Sequence, residues 1–151
     1  HEGSNLAKVL LSAAQELEEK ITLLRKKREQ VSSRYPERIR EKIKAIFETY
    51  PLEQGNIQAV LESRISQELA LIADRTDIEE ELTRFHGHLD HLRKILKEGG
   101  SVGRKLDFVL QELNREINTL GNKAQDYGMS EEVVGVKVRL EQLREQVMNL
   151  E

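Results

Sequence analysis

The feature that most constrains the fold is a hydrophobic repeat of helical period. In residues 103–124 the apolar side chains are separated by four and three residues in turn: Leu106, Leu110, Leu113, Ile117, Leu120 and Ala124. Residues 76–97 repeat this pattern with Ile78, Leu82, Phe85, Leu89, Leu92 and Leu96. Such spacing places the side chains on one face of an α-helix, whereas a half-buried strand alternates at every second residue. The sequence therefore predicts an all-α protein.

The other segments complete a predicted arm and a predicted bundle. Residues 4–33 read as one helix, and Pro36 stands where a second helix would start, before Pro51 follows its end. We therefore expect a long helical hairpin in residues 1–52. Residues 53–151 are expected to form a C-terminal helical domain, an antiparallel bundle whose middle pair is joined by the helix-breaking run "EGGSVG".

The composition supports this fold and limits the function. Charged residues make up 34% of the chain and aromatic residues 4%, as is typical of long, solvent-exposed helices. The net charge is −3, so a nucleic acid would have to bind to a local basic patch. The lack of cysteine excludes disulfides and thiolate metal sites. No apolar run in the sequence reaches membrane-spanning length, and we expect a cytoplasmic protein without a signal sequence or membrane contacts.

Polar side chains border the apolar faces of the two middle helices. On residues 76–97 one edge consists of Asp77, Glu81, Arg84, His88 and His91. On residues 103–124 one edge consists of Asp107, Gln111, Asn114 and Asn118, and the other of Lys105, Glu112, Glu116, Thr119 and Lys123. Because the glycine-rich turn would make the two helices antiparallel, we expect these edges to face each other across a groove.

Several of these residues are poor choices for a helix. Asn114, Asn118 and Thr119 lie where such residues weaken a helix, and Arg104 and Lys105 lie in a first turn, where the helix dipole disfavours cations. A ligand would explain them: carboxylates with a neutral imidazole suit Mg²⁺ or Mn²⁺, cations suit phosphates, and amides suit ribose or bases. The alternative is structural, since ion pairs one turn apart also stabilise long helices.

Of the histidines in "HGHLDH", only His88 is a candidate. Side chains two residues apart on a helix point about 200° away from each other, so His86 and His88 cannot share one ligand. The run "GGSVG" also lacks the order of residues found in a P-loop.

Three segments resemble the C-terminal half of the YicC-like proteins, which are bacterial endoribonucleases. They are "QELALIADRTDIEEELTRFHGHL", "GRKLDFVLQELNREINTLGNKA" and "KVRLEQLREQVMNLE". The resemblance implies a divalent-metal-dependent endonuclease that cleaves single-stranded RNA and assembles as a homo-oligomer, a ring-like hexamer. It also implies a preceding N-terminal domain outside this sequence, in keeping with a chain that starts without Met and almost directly in a helical pattern.

Combined with the chemistry of the side chains, the resemblance yields a set of site hypotheses. The predicted catalytic residues are His88, Asp107, Glu112 and Glu116. The predicted ligands of Mn²⁺ or Mg²⁺ are Glu80, Glu81, His88 and Glu112. The predicted RNA-binding residues are Arg84, Arg104, Lys105, Gln111, Asn114, Arg115, Asn118, Thr119 and Lys123.

Two questions stay open at the level of sequence. Water activated by a metal could hydrolyse the phosphodiester and leave a 3′-hydroxyl, or His88 could deprotonate the ribose 2′-hydroxyl and yield a cyclic phosphate. The excess of carboxylates favours hydrolysis. Alternatively, this half could be a non-catalytic oligomerisation and RNA-adaptor part, as the near-neutral net charge of the chain suggests.

Overall fold

A computed structural model describes the backbone of residues 2–49, 55–76, 78–100, 102–124 and 128–150. It describes the side chains of residues 5–30, 37–41, 44–45, 48, 59–70, 78–100, 102–124 and 128–149. The described backbone forms five helices: α1 (Glu2–Thr49), α2 (Gly55–Thr76), α3 (Glu79–Glu98), α4 (Gly103–Ala124) and α5 (Ser130–Leu150). The all-α prediction is confirmed.

The first helix corrects the hairpin that we predicted within residues 1–52. The backbone of α1 is helical from Glu2 to Thr49 and passes through Pro36 without a break. Proline is disfavoured inside a helix because it lacks the N–H donor and crowds the preceding turn, so we placed a helix boundary there. The neighbouring residues, among them Glu37, Arg38, Arg40 and Glu41, favour helix, and the helix continues. The predicted division at residues 52 and 53 lies outside the described residues.

The core lies between α3, α4, α5 and the first half of α1. Helix α4 packs against α3 and α5, and α1 packs against the same two helices from the other side. The buried side chains of α1 end at Leu24, whereas its described side chains between 37 and 48 are exposed or half-buried. The described side chains of α2 are likewise exposed or half-buried. The bundle is thus built on α3, α4 and α5, with one half of a long helix added.

The predicted apolar face of α4 is confirmed as its core face. Leu106, Leu110, Leu113, Ile117, Leu120 and Ala124 are each 1% exposed or less. Full burial of a leucine side chain contributes about 1.5–3 kcal/mol, so this row is a main source of bundle stability.

Glycines permit two features of this bundle. Gly99 and Gly100 have φ of 70° and 85°, left-handed values that favour glycine, and they end α3. At Gly121, a Cβ atom would lie 2.9 Å from Cγ1 of Val133, so the missing side chain lets α4 approach α5 closely. No helix within the described ranges is long and apolar enough to cross a lipid bilayer.

Candidate functional site

Charged residues of α3 and α4 meet along the seam between the two helices. Glu81 and Glu116 are 2% and 7% exposed, and they are the buried charged residues of the described part of the chain. Arg84 pairs with Glu116, and Glu81 pairs with Lys123. The higher residue number on α3 is thus paired with the lower residue number on α4. The two helices are therefore antiparallel, and one polar edge of α4 faces the polar edge of α3 as predicted.

Arg84 joins three carboxylates of the seam. Its Nε donates to both carboxylate oxygens of Glu116 at 3.0 Å. One Nη lies 2.5 Å from Oε1 of Glu80, and the other lies 3.6 Å from Oε1 of Glu81. The hydrogen bond to Glu116, followed by that to Glu80, raises the pKa of Arg84 above its usual range, although burial opposes the rise. The guanidinium is therefore a permanent cation.

Glu81 is held by a second cation. Nζ of Lys123 donates to Oε1 of Glu81 at 2.7 Å. The other oxygen, Oε2, is buried and has no hydrogen-bond partner within the described structure. A buried carboxylate oxygen without a partner is costly, which makes Glu81 an unusual choice for purely structural packing.

His88 lies at the solvent side of the same seam. Its Nε2 is 4.0 Å from Oε1 of Glu116, and its side chain is 27% exposed, compared with 10% for Glu116. An imidazole that reaches solvent next to a carboxylate is suited to accept a proton from a bound molecule. We refer to the whole group as the α3–α4 cluster, which comprises Glu80, Glu81, Arg84, His88, Glu116 and Lys123.

Asp107 and Gln111 lie on the other side of α4. Oδ1 of Asp107 accepts from Nε of Arg144 in α5 at 3.3 Å, and its Oδ2 accepts from Nε2 of Gln111 at 3.0 Å. The two polar edges of α4 therefore face different helices, and the groove contains only one of them. Spacing along α4 could not distinguish these cases, because the position of α5 decides which edge it covers.

The remaining predicted residues of the middle of α4 do not join the cluster through side-chain bonds. Asn114, Arg115, Asn118 and Thr119 are exposed. The hydroxyl of Thr119 donates to the carbonyl oxygen of Arg115 at 3.1 Å, a local bond that accounts for this residue without a ligand. Glu112 is half-buried one turn before Glu116, whereas Asp77 lies outside the described residues.

Arg104 and Lys105 lie at the turn between α3 and α4. They line a cavity of about 440 Å³, which we call the turn cavity. Its lining residues are His91, Lys94, Ile95, Glu98, Arg104, Lys105 and Phe108. Phe108 was not predicted as a site residue. Its signal in the sequence is its place outside the apolar row of α4, which leaves it 58% exposed.

Comparison with known proteins identifies the relatives of this chain. Residues 24–151 match the family described as "Endoribonuclease YicC-like, C-terminal". The chain belongs to the YicC-like endoribonuclease family. This confirms the resemblance seen in the sequence.

Two YicC-like relatives show how much of the family's length is present. The chain is 36% identical over 150 residues to the probable endoribonuclease YicC of Clostridioides difficile (strain 630), covering 99% of this chain and 49% of the relative. It is 51% identical over 88 residues to the probable endoribonuclease YicC of Haemophilus influenzae, covering 58% of this chain and 31% of the relative. The chain spans at most about half the length of these relatives.

The YicC-like resemblance implies a divalent metal, but the arrangement of the predicted ligands does not fit one. Within the described ranges, no group of three or more His, Asp or Glu side chains could hold a metal ion. Glu80 and Glu81 instead contact the cations of Arg84 and Lys123. Carboxylate oxygens are suitable ligands for Mg²⁺ and Mn²⁺. In this structure, however, the carboxylates of Glu80 and Glu81 are paired with a guanidinium and an ammonium group, which stand where a metal ion would have to bind.

Proposed function

We propose that this chain is the RNA-cleaving part of an endoribonuclease that acts on single-stranded RNA, with the α3–α4 cluster as its active site. The observation that carries the proposal is the guanidinium of Arg84, held by the buried Glu116 beside the half-exposed His88. A fixed cation can stabilise the charge that develops on the phosphate, and a neighbouring base can accept the proton of the attacking hydroxyl. That the substrate is RNA is inferred from the endoribonuclease family to which the chain belongs.

At the two buried carboxylates of the cluster the cations are the more exposed partners, whereas Glu80, whose side chain is 76% exposed, reaches solvent together with Arg84. The side chains of Arg84 and Lys123 are 42% and 33% exposed, whereas those of Glu81 and Glu116 are 2% and 10% exposed. The buried carboxylates thus orient the cations, whose outer N–H groups stay available to phosphate oxygens. This exposure supports the proposal that Arg84 and Lys123 bind RNA.

The position of His88 favours attack by the ribose 2′-hydroxyl. His88 would accept the 2′-hydroxyl proton while the 2′-oxygen bonds to phosphorus, and Glu116 would stabilise the resulting imidazolium. The bond from phosphorus to the 5′-oxygen breaks, and that oxygen takes up a proton from solvent. The products are a 2′,3′-cyclic phosphate and a 5′-hydroxyl, whereas direct attack by water would leave a 3′-hydroxyl or a 3′-phosphate. Analysis of the product ends distinguishes these outcomes.

The proposed requirement for Mn²⁺ or Mg²⁺ rests on the family resemblance alone, and no step is assigned to the metal. Chelation with EDTA, followed by addition of each cation, tests it in the full-length protein. Loss of cleavage with EDTA and recovery with the cation support the requirement. Undiminished cleavage in EDTA refutes it.

The active-site proposal is tested by Glu116→Gln in the full-length protein, with Glu18→Gln as the matched control. Glu18 also joins two helices through an arginine, since its carboxylate lies 2.5 Å from Nη2 of Arg93, but it lies outside the cluster. We expect Glu116→Gln to slow single-turnover cleavage about 100-fold, because the guanidinium and the base lose their common partner. Glu18→Gln should cleave normally. Equal cleavage by both variants would refute the proposal, and melting curves would verify that both are folded.

The second candidate function is a helical scaffold or RNA adaptor without chemistry of its own. It is favoured by the way the charges of the cluster are paired with one another, as in a structural seam. On this view Glu116→Gln would lower the melting temperature and leave the cleavage rate of folded protein unchanged. Retained folding with lost cleavage supports the catalytic proposal.

We also propose that the full-length protein forms a homo-oligomer in the cytoplasm, a hexamer as the resemblance implies. Several large apolar side chains of α1 and α5 are exposed on the isolated chain, namely Leu11, Leu23, Val134, Val138 and Met148. Apolar side chains of this size gain stability when a second subunit covers them. Light scattering would give the molar mass, and a monomeric mass would refute the proposal.

A further inference from the structure

The turn cavity differs from the α3–α4 cluster in having unpaired charges. Lys94, Arg104 and Lys105 line it, and within the described structure none of them forms an ion pair with a carboxylate. Glu98 and His91 also line the cavity, so three cations face one carboxylate and one imidazole. The excess of positive charge attracts an anion, and no internal partner has to be displaced first.

An aromatic side chain lies beside these cations. Phe108 follows Arg104 by one helical turn and Lys105 by three residues, so all three lie on one face of α4. Two phenylalanines have described side chains: Phe85 is fully buried, whereas Phe108 is 58% exposed. Exposure of an aromatic ring costs hydrophobic stabilisation, and stacking on a flat ligand would recover it.

We propose that the turn cavity is a nucleotide subsite of single-stranded RNA, in which Phe108 stacks on one base and Arg104, Lys105 and Lys94 contact the adjacent phosphates. This inference rests on the proposed function. Aromatic platforms next to cations are the usual means by which proteins hold single strands without reading their sequence. The volume of about 440 Å³ falls within the usual range of small-ligand sites.

The subsite is placed to hold the strand that the cluster would cleave. Phe108 and Glu116 are eight residues apart on α4, which corresponds to about 12 Å along the helix axis. Both face the α3 side of the helix, since Phe108 shares the cavity with Lys94 and Glu116 pairs with Arg84. A single strand lying along this seam would contact both.

Equilibrium binding to the full-length protein tests this inference separately from cleavage. The probe is a short fluorescein-labelled 2′-O-methyl oligouridylate, which keeps its bases and phosphates but lacks the 2′-hydroxyl. We expect Phe108→Leu to weaken binding about tenfold without changing its salt dependence, and Phe108→Tyr to bind normally because it keeps the ring. The double variant Arg104→Gln/Lys105→Gln should reduce the slope of log affinity against log salt concentration by about 1.4.

Lys97→Gln is the matched control for the loss of a cation, because Lys97 is exposed near the same turn but does not line the cavity. If Phe108→Leu and Arg104→Gln/Lys105→Gln bind as Lys97→Gln does, the subsite is refuted, whereas the cleavage assay of Glu116→Gln still decides the proposed function. If polyglutamate binds as tightly as the oligonucleotide and with the same dependence on Phe108, the site takes an acidic protein segment, and the RNA assignment is overturned.

Discussion

The charged residues at the two ends of the α3–α4 seam have opposite surroundings. In the α3–α4 cluster, Glu81 and Glu116 are buried, and Arg84 and Lys123 neutralise them. In the turn cavity, cations such as Arg104 and Lys105 are exposed, with Phe108 beside them. The same pair of helices thus has one end whose buried carboxylates are paired with cations and another whose cations are exposed to solvent without a carboxylate partner among the described residues.

This difference shows what each end can contribute. A buried carboxylate must have a partner, so the geometry of the cluster is fixed by the fold and can orient reacting groups. A solvated cation has no fixed partner, so it can bind a strand without loss of internal contacts. The cluster would therefore fix the position of the reacting groups, and the turn cavity would add to the affinity for the RNA strand. The following predictions test this contrast and the helix packing that supports it.

The largest effect on stability is expected for Lys123→Met at the cluster end. The substitution removes the ammonium 2.7 Å from Glu81, whose carboxylate is 2% exposed, and leaves a buried charge with only the more distant Arg84. We expect the free energy of unfolding to fall by about 3 kcal/mol, as measured by urea denaturation. Adding Glu81→Gln to this variant should restore most of the loss, because the buried charge is then gone. A double variant as unstable as Lys123→Met would contradict the account.

A smaller loss is expected for Arg84→Lys, since an ammonium group cannot contact Glu80, Glu81 and Glu116 at once as the guanidinium does. We expect the free energy of unfolding, measured by urea denaturation, to fall by about 1–2 kcal/mol.

The pH dependence of stability gives a second prediction for Arg84. Because the pKa of Arg84 is raised, the stabilisation that its charge gives to the fold is fully present below the ordinary pKa of arginine and is lost only as the pH rises through the higher folded value. From neutral to mildly alkaline pH, the part of the stability that depends on the Arg84 charge should therefore stay constant in the wild type. A decline of wild-type stability over this range that Arg84→Met abolishes would show that Arg84 loses its charge there, so that its pKa is lowered.

Two glycines of the same helix pair should respond differently to replacement by alanine. At Gly121 the added Cβ would lie 2.9 Å from the branched side chain of Val133, whereas at Gly87 no atom lies within 4 Å. Helix propensity favours alanine by about 1 kcal/mol at both positions. We therefore expect Gly87→Ala to raise the melting temperature and Gly121→Ala to lower it or leave it unchanged. Equal stabilisation by both variants would mean that α4 and α5 are not in close contact there.

The smallest effect is expected at the turn cavity. Lys105→Gln should change the free energy of unfolding by less than about 0.5 kcal/mol, because Lys105 is exposed and makes no ion pair with the described residues. Urea denaturation beside Lys123→Met gives the comparison directly. A loss similar to that of Lys123→Met would remove the contrast between the two ends.

The sequence was sufficient for the all-α fold class and for the core face of α4. The repeat from Leu106 to Ala124 has the helical period, and burial follows that period residue by residue. The continuity of α1 was not predictable in this way, because a proline at position 36 is an equally good start of a second helix. The proline alone does not distinguish the start of a second helix from a continuous helix, so this case could not be decided from its position.

The candidate site was predictable only in part, for a related reason. Spacing placed Glu81, Arg84 and Glu116 on the edges of their helices, and the contacts between these residues agree with that. It could not show that Asp107 turns towards Arg144 of α5, because both edges of α4 look equivalent in a single sequence. The place of Phe108 outside the apolar row of α4 was a signal for that residue, but it does not show whether a neighbouring helix covers the ring.

The central claim is that the buried carboxylates of the α3–α4 cluster serve RNA cleavage. The most direct measurement is the single-turnover cleavage rate of the full-length protein with Glu81→Gln and Glu116→Gln combined, at saturating RNA. We predict a loss of at least about 100-fold, with RNA binding retained because Arg84 and Lys123 keep their charges. Cleavage at the wild-type rate by the folded double variant would contradict the account and assign the chemistry to another part of the protein.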